Sequence, residues 1–289
     1  LSLDPSRGIA GLKGALRYVR AYRDQVFVVK LGGEVLQDPD VLDQVATQLA
    51  LLHSLSIRIV VVHGGGPQAS ALARRLGQEP VMVAGRRVTD DAALEVTKMV
   101  YAGLLNTDLV SALREHRVQP VGLSGVDADL LTAHRRPPVE VVDDDGKSRK
   151  IDFGHVGDLD RVDARILTTL MDARFVPVVA SLAGDDDGKV YNVNADTVAE
   201  AIATAVHAQK LIYLTGAPGV LRDRNDPSTL VTFADPDDLA ELMQSGALTG
   251  GMRPKVEACI RAATGGVERT HIVDGRQPDA LLLEVFTGS

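Results

Sequence analysis

Two lysines and an aspartate, far apart in the chain, are the side chains best suited to chemistry on an anion. Lys30 closes the apolar run "VFVVK" and is followed by Gly32 and Gly33; Lys255 lies in "TGGMRPKV", shortly after Gly250 and Gly251; Asp196 lies in "YNVNADTVAE". A lysine at the carboxyl end of a buried strand has its base at the crevice where open parallel sheets bind ligands. Glycines in the turn that follows leave backbone amides able to face a phosphate. In "VVHGGGPQ", Gly64, Gly65 and Gly66 stand between a second apolar strand and a helix, where free amides and the helix terminus favour an anion. Two glycine loops after two strands that read as parallel point to backbone converging on a bulky anionic ligand. Neither GxxxxGK[ST] nor GxGxxG occurs, so this is neither a P-loop nor a dinucleotide fingerprint.

Other residues fit around that ligand. In "GRRVTD", Arg86 and Arg87 compete for the role of a bidentate carboxylate clamp. Asn192 and Asn194 can point to one side of an extended segment. Asp196 either caps the helix that begins there or anchors nearby ammonium groups. For Lys30 and Lys255 the ordinary alternative is a lysine reaching solvent from a strand end or a helix.

Other chemistries find less support. The 7 histidines show no HExxH or comparable spacing and the 1 cysteine cannot form a thiolate cluster, so no protein-held metal is expected. Cys259 reads as packing on an apolar helix. Ser124 in "GLSGVDAD" lacks the Gly-x-Ser-x-Gly elbow of a hydrolase. A net charge of -8 and a pI near 5.4 disfavour nonspecific binding to nucleic acid or an anionic membrane. The lone cysteine suits a reducing compartment. No leader-like segment and no run of membrane-spanning length stands out, so a cytoplasmic protein is expected.

The elements that must position these residues follow an α/β rhythm. Val26–Leu31 and residues 57–62 are apolar runs of the kind that form parallel strands covered on both faces. Between them, Pro39–Ser54 carries Val41, Val45, Leu49 and Leu52 at helical spacing, and residues 67–76 form a helix opened by Pro67. Residues 90–102 and 106–116 read as two helices, "PVGLSG" as a strand, and "VEVVDDDGKSRKIDF" as a hairpin turning at Asp145 and Gly146. Residues 160–173 read as a helix and "RFVPVVASL" as a strand. The rhythm then resumes with a helix over 195–207, the strand "KLIYLTG", helices over 236–245 and 253–263, the strand "THIVDG" and a short helix over 279–283. Ahead of the first strand, residues 10–22 form a helix whose Leu12, Leu16 and Val19 edge must pack on the body or on another subunit.

The words "KLGG", "HGGGPQ", "RRVTD", "YNVNADTVA" and "TGGMRPKV", in that order across nearly the whole chain, resemble the amino acid kinase family. The resemblance is to the branch that moves the γ-phosphoryl group of ATP to the side-chain carboxylate of N-acetyl-L-glutamate in arginine biosynthesis. It implies a three-layer α/β fold, with an open and mainly parallel sheet between helices. Residues 1–24 would be a helical extension, 25–187 a dimerising acetylglutamate lobe and 188–289 an ATP lobe.

Carried over, the family roles make Lys30 and Lys255 stabilisers of the transferring phosphoryl group, with Asp196 organising both. Gly65, Gly66, Arg87 and Asn192 would bind acetylglutamate, Arg87 taking its α-carboxylate. Gly32, Gly33, Thr215, Gly216, Gly219, Leu221, Gly250 and Gly251 would line the nucleotide, which brings its own Mg²⁺. "GALRYVRAYRDQ" resembles the extra helix of arginine-sensitive members, which joins dimers into a hexamer, and His271 and Glu284 correspond to their L-arginine site. Those members continue past the position of Ser289 through a glycine-rich strand that helps enclose arginine. Two departures stand out: Gly216 replaces a usual aspartate, and Arg253 a usual aliphatic residue. The rival readings are an N-acetyl-L-aminoadipate kinase and a noncatalytic sensor like the kinase-like domain of acetylglutamate synthases, which "LLHSLSIRIVVV" and "FGHVGDLD" also resemble. The presence of both lysines and Asp196 favours the enzyme.

Overall fold

The computed structural model describes residues 16–83, 85–142, 148–223, 225–246, 248 and 251–287. In chain order the first elements are a helix over residues 16–22 (α1), β1 (Val26–Leu31), α2 (Pro39–Ser54), β2 (Arg58–His63) and α3 (Gly66–Arg75). A small hairpin of β3 (Met82–Val83) and β4 (Arg86–Arg87) leads to α4 (Asp91–Lys98), a π-helical stretch (Met99–Leu105) and α5 (Asn106–Glu115). Then come β5 (Pro120–Ser124), β6 (Leu131–Arg135), the hairpin β7 (Val139–Val142) and β8 (Ser148–Ile151), β9 (Gly157–Val162), α6 (Arg165–Asp172) and β10 (Val176–Ala180). The chain continues through β11 (Leu182–Gly184), β12 (Val190–Asn192), α7 (Ala195–Ala205), β13 (Lys210–Thr215), α8 (Pro236–Gln244), α9 (Met252–Thr264), β14 (Arg269–Asp274) and α10 (Ala280–Phe286).

The main sheet has the order β14-β13-β1-β2-β10-β5, and every neighbouring pair is parallel. Chain order reverses on either side of β1, since β2 lies to one side and β13 to the other. A crevice therefore opens beyond the carboxyl ends of β1, β2 and β13, where such sheets take their ligands. A second sheet has the order β12-β11-β6-β9, and its β11 follows the carboxyl end of β10 after the single residue Ser181.

Strand alternation divides the core in two. Val28, Val60, Val62, Val179, Leu211 and Tyr213 face α7 and α9, where Val198, Ile202, Cys259 and Ala262 pack. Phe27, Val29, Leu31, Ile59, Val61, Val178, Ile212 and Leu214 face α2, α5 and α10. Buried Gln48 of α2 accepts from the amides of Leu281 and Leu282, satisfying the opening turn of α10. Helix α2 keeps the bounds expected from its spacing, with Asp38 accepting from the Asp40 amide at 2.9 Å ahead of Pro39.

Three expectations change. The helices over 90–102 and 106–116 are one continuous path, because the chain widens into π geometry at Met99–Leu105 instead of breaking at Gly103. Residues 160–162 of the stretch read as helix instead close strand β9, paired with β6; the helix begins only at Arg165, after Asp163 takes the Arg165 amide at 3.1 Å. Pairing with β6 buries one side of the segment and overrides its helical spacing. On α1, the attaching side is aromatic: Tyr18 lies 6.3 Å from Phe286 and Tyr22 5.2 Å from Phe27, ring centre to ring centre, while Leu16 is exposed. Leu12 and the turn at Asp145 and Gly146 lie outside the described residues. Among the described residues no helix is long and apolar enough to cross a membrane.

Candidate active site

Lys30 shares the parity of Val28, so its side chain leaves β1 on the α7 face, and the first turn of α7 carries Asp196. The Lys30 Nζ lies 2.7 Å from Asp196 Oδ1, and Lys255, brought in by the first turns of α9, lies 3.2 Å from Oδ2. Lys255 also donates to Gly251 O at 3.2 Å, and Tyr213 donates to Asp196 O at 3.1 Å. Burial pushes the Asp196 carboxyl up, but the Lys30 and Lys255 charges outweigh it and hold the group below the usual carboxylate range. Two ammonium groups on one carboxylate leave a net positive charge in a nearly water-free place, which attracts an anion strongly.

Asp196 is not the helix cap. That role belongs to Asn194, whose side chain accepts from the Asp196 amide at 2.7 Å and frees the Asp196 carboxylate for the lysines.

Beside this trio is a cavity of about 740 Å³, lined by Lys30, Gly33, the Gly64 to Gly66 loop, Arg86, Arg87, Tyr101, Asn192 and Asn194 among others. Its size suits a small-molecule site. A Cβ on Gly33 would stand 2.8 Å from Pro67, and one on Gly65 would run into Leu105 and the Tyr101 ring. Both glycines are thus required by close approach, and the π-helical stretch supplies the wall behind Gly65. The structure separates the two arginines. Arg87 is half-buried and donates to Gly66 O at 2.8 Å and Ser70 Oγ at 2.5 Å, whereas Arg86 is exposed. Asn192, which also lines the cavity, donates to Thr89 Oγ1 at 3.3 Å.

The Gly32 amide donates to Leu214 O at 2.8 Å, so it is engaged in joining β1 to β13 and is not a phosphate donor. Gly33, one residue on, is the glycine of the pair that lines the cavity. Thr215 ends β13, and Gly216, Gly219 and Leu221 follow on the loop where Leu221 bridges to Leu230. With Gly251, which precedes α9, they lie outside the lining of the cavity. Gly250 lies outside the described residues. A Cβ at Gly216 would approach the Glu34 methylenes to 3.1 Å, so Glu34 occupies the space that a side chain there would need.

His271 and Glu284 meet away from this cavity. His271 Nδ1 lies 2.5 Å from Glu284 Oε1, and its Nε2 lies 3.0 Å from the Nζ of Lys210, which in turn sits 5.4 Å from the centre of the Tyr22 ring. Burial pushes Lys210 down to about 8, and burial also lowers His271. Sequence reasoning missed Lys210, although a lysine at the head of an apolar strand was a signal. It also missed buried Ser181 on the cavity wall, whose hydroxyl has no hydrogen-bond partner among the described residues, and nothing in its neighbourhood of sequence marks it. Cys259 is buried as expected, with burial raising its thiol to about 12.

The parallel sheet, the ligand crevice at its switch point and two buried lysines sharing a carboxylate define an α/β protein built to handle a phosphoryl anion. The chain belongs to the amino acid kinase family, whose profile matches residues 25–274. It is similar to the acetylglutamate kinase of Myxococcus xanthus, 49% identical over 99% of this chain and 92% of that protein. The acetylglutamate kinase of Methanothermobacter thermautotrophicus is 42% identical over 94% of each chain. Among solved structures, N-acetylglutamate synthase from Neisseria gonorrhoeae, complexed with coenzyme A and N-acetyl-glutamate, aligns with a TM-score of 0.80 and 26% identity. That alignment covers 96% of this chain but 61% of the synthase. Carbamate kinase from Giardia lamblia bound to AMP-PNP, at 15% identity and a TM-score of 0.64 over 91% of this chain and 95% of that one, shares the fold.

Proposed function

We propose that the chain phosphorylates the side-chain carboxylate of N-acetyl-L-glutamate with ATP, a reaction of arginine biosynthesis. The observation that carries this reading is the Lys30–Asp196–Lys255 cluster at the edge of a glycine-lined cavity. A carboxylate acceptor is already ionised near neutral pH, so no strong general base is needed. The obstacle is repulsion between two anions. Lys30, Lys255 and the amides of Gly33, Gly65 and Gly66 offset it where the charge develops. Arg87, held by Gly66 and Ser70, takes the α-carboxylate, and Asn192 the other end of the acceptor.

The donor set fits ATP: two cations and free loop amides suit its phosphates, and Thr215, Gly216, Gly219, Leu221, Gly250 and Gly251 suit the adenosine side. Among the described residues no group of three or more His, Cys, Asp or Glu side chains is placed to hold a metal. In this reading Mg²⁺ comes with the nucleotide, where it would supply further positive charge. In this division of labour residues 25–187 handle acetylglutamate and 188–289 handle ATP, across a main sheet in which β13 of the second part pairs with β1 of the first.

Purified protein with ATP, Mg²⁺ and acetylglutamate is expected to form an acyl phosphate, trapped as the hydroxamate by hydroxylamine. No hydroxamate at saturating substrates rejects the reading in favour of a sensor. Faster turnover of N-acetyl-L-aminoadipate moves the assignment to the longer acceptor, since one methylene is worth only about 1 to 3 kcal/mol. In the same assay L-arginine is expected to inhibit, acting where Lys210, His271, Glu284 and Tyr22 converge. Undiminished hydroxamate formation in excess arginine removes that effector.

The exposed Leu16 of α1, a helix whose tyrosines pack on Phe27 of β1 and Phe286 of α10, supports an assembly in which α1 reaches a second subunit. We assign a homo-oligomer, a hexamer made of three dimers. Light scattering is expected to show a hexamer that falls to dimers when residues 1–25 are removed; an unchanged mass in the truncated chain excludes the assignment.

A further inference from the structure

Behind the Gly64 to Gly66 loop lie two buried polar side chains that the proposed chemistry does not use. His63 is 0% exposed and ends β2; Asn106 is 6% exposed and opens α5. The Asn106 Nδ2 lies 2.9 Å from Val178 O, 3.3 Å from Leu123 O and 3.1 Å from His63 Nε2. Backbone carbonyls only accept, so the amide of Asn106 must turn its NH₂ toward them. The same NH₂ then faces His63, which makes Nε2 the acceptor and leaves the imidazole proton on Nδ1. Nδ1 lies 2.9 Å from Gly64 O and donates to it. Gly122 makes this possible, because a Cβ there would collide with Asn106 Oδ1.

The peptide between Gly64 and Gly65 is planar and trans, so holding the carbonyl on one side sends the Gly65 N–H to the opposite side. That side is away from the buried His63 and Asn106 and toward the cavity that Gly64, Gly65 and Gly66 line. Among the described residues the Gly65 amide has no backbone acceptor.

We propose that His63, fixed as its Nδ1–H tautomer by Asn106, is a positioning residue that aims the Gly65 amide at the acceptor and the transferring phosphoryl group. The proposal deepens the acetylglutamate-kinase reading and rests on it for the identity of the anion. Burial also disfavours the charged ring and pushes His63 down to about 4, so it remains a neutral single-tautomer donor across the working range of pH.

Two measurements test this. Long-range ¹H–¹⁵N spectra of protein labelled at histidine report which ring nitrogen holds the proton at pH 7, with the His63 signals assigned by their loss in His63→Asn or their shift in Asn106→Ser. An Nδ1–H tautomer is expected, and an Nε2–H tautomer overturns the proposal. In the hydroxamate assay, His63→Asn keeps an amide donor at the Nδ1 position, while His63→Gln moves it to the Nε2 position. His63→Asn is expected to retain kcat within about 10-fold and His63→Gln to lose on the order of 10²-fold, with KM for ATP unchanged in both. Equal losses, or a loss confined to thermal stability, overturn the positioning role. Wild-type protein without turnover sinks the functional reading instead, and the tautomer still decides whether His63 holds the loop.

Discussion

Asp196→Asn is expected to be the most damaging single substitution in this chain, because it harms folding and turnover together. The change is nearly isosteric, so packing and the Asn194 cap survive. It removes the negative charge that lies 2.7 Å from Lys30 and 3.2 Å from Lys255. Two ammonium groups are then left facing each other with little water. Removing one partner from a buried ion pair typically costs about 3 to 5 kcal/mol, because the remaining charge stays desolvated. Denaturant unfolding of the variant at neutral pH should show a loss of that order, and kcat should fall on the order of 10²-fold or more. Unchanged stability would mean that the trio is not assembled in the folded protein.

The same group sets an acid limit. Its folded-state pKa lies below the ordinary value of 3.8, so the unfolded chain binds its proton first as pH falls. Its stabilising contribution is complete above the unfolded pKa and disappears as pH drops through the lower, folded one. Wild type should therefore lose stability relative to Asp196→Asn only in strongly acidic solution, below 3.8. A gap between the two that stays constant from neutral to strongly acidic pH would show that Asp196 carries no depressed pKa.

Lys30→Met should separate chemistry from folding. Methionine keeps much of the buried stem and deletes the charge. Asp196 keeps Lys255 as a partner, so the folding penalty should be clearly smaller than for Asp196→Asn. Turnover should still fall on the order of 10²- to 10³-fold, the usual cost of deleting one preorganised donor from a transition-state site. Since the charge acts on the phosphoryl group in flight, the loss should appear in kcat with KM for acetylglutamate little changed. A large rise in KM at constant kcat would reassign Lys30 to substrate binding.

Much of this site is legible in the sequence because its parts follow local rules. Apolar runs without alternation announce buried parallel strands, and a lysine at the carboxyl end of one has its base at the crevice. Glycines beside it announce backbone approached closely, as the collisions at Gly33 and Gly65 bear out. Local rules fail where a partner strand intervenes. Residues 160–162 read as the start of a helix but pair with β6, and the Gly32 amide, free by local reasoning, is taken by Leu214 of β13.

The amino-acid sequence by itself determined the α/β class and the crevice, and offered Lys30, Lys255, Gly33, Gly65 and Gly66 as candidates for it, since periodicity and residue type act within a few positions along the chain. Tertiary structure alone decided that Asp196 bridges both lysines while Asn194 caps the helix, that Arg87 and not Arg86 is held against the glycine loop, and that Lys210 meets His271. It alone placed Asn106 behind His63. Each of these depends on which strand lies beside which and on what water is excluded between them, and no short stretch of residues encodes that.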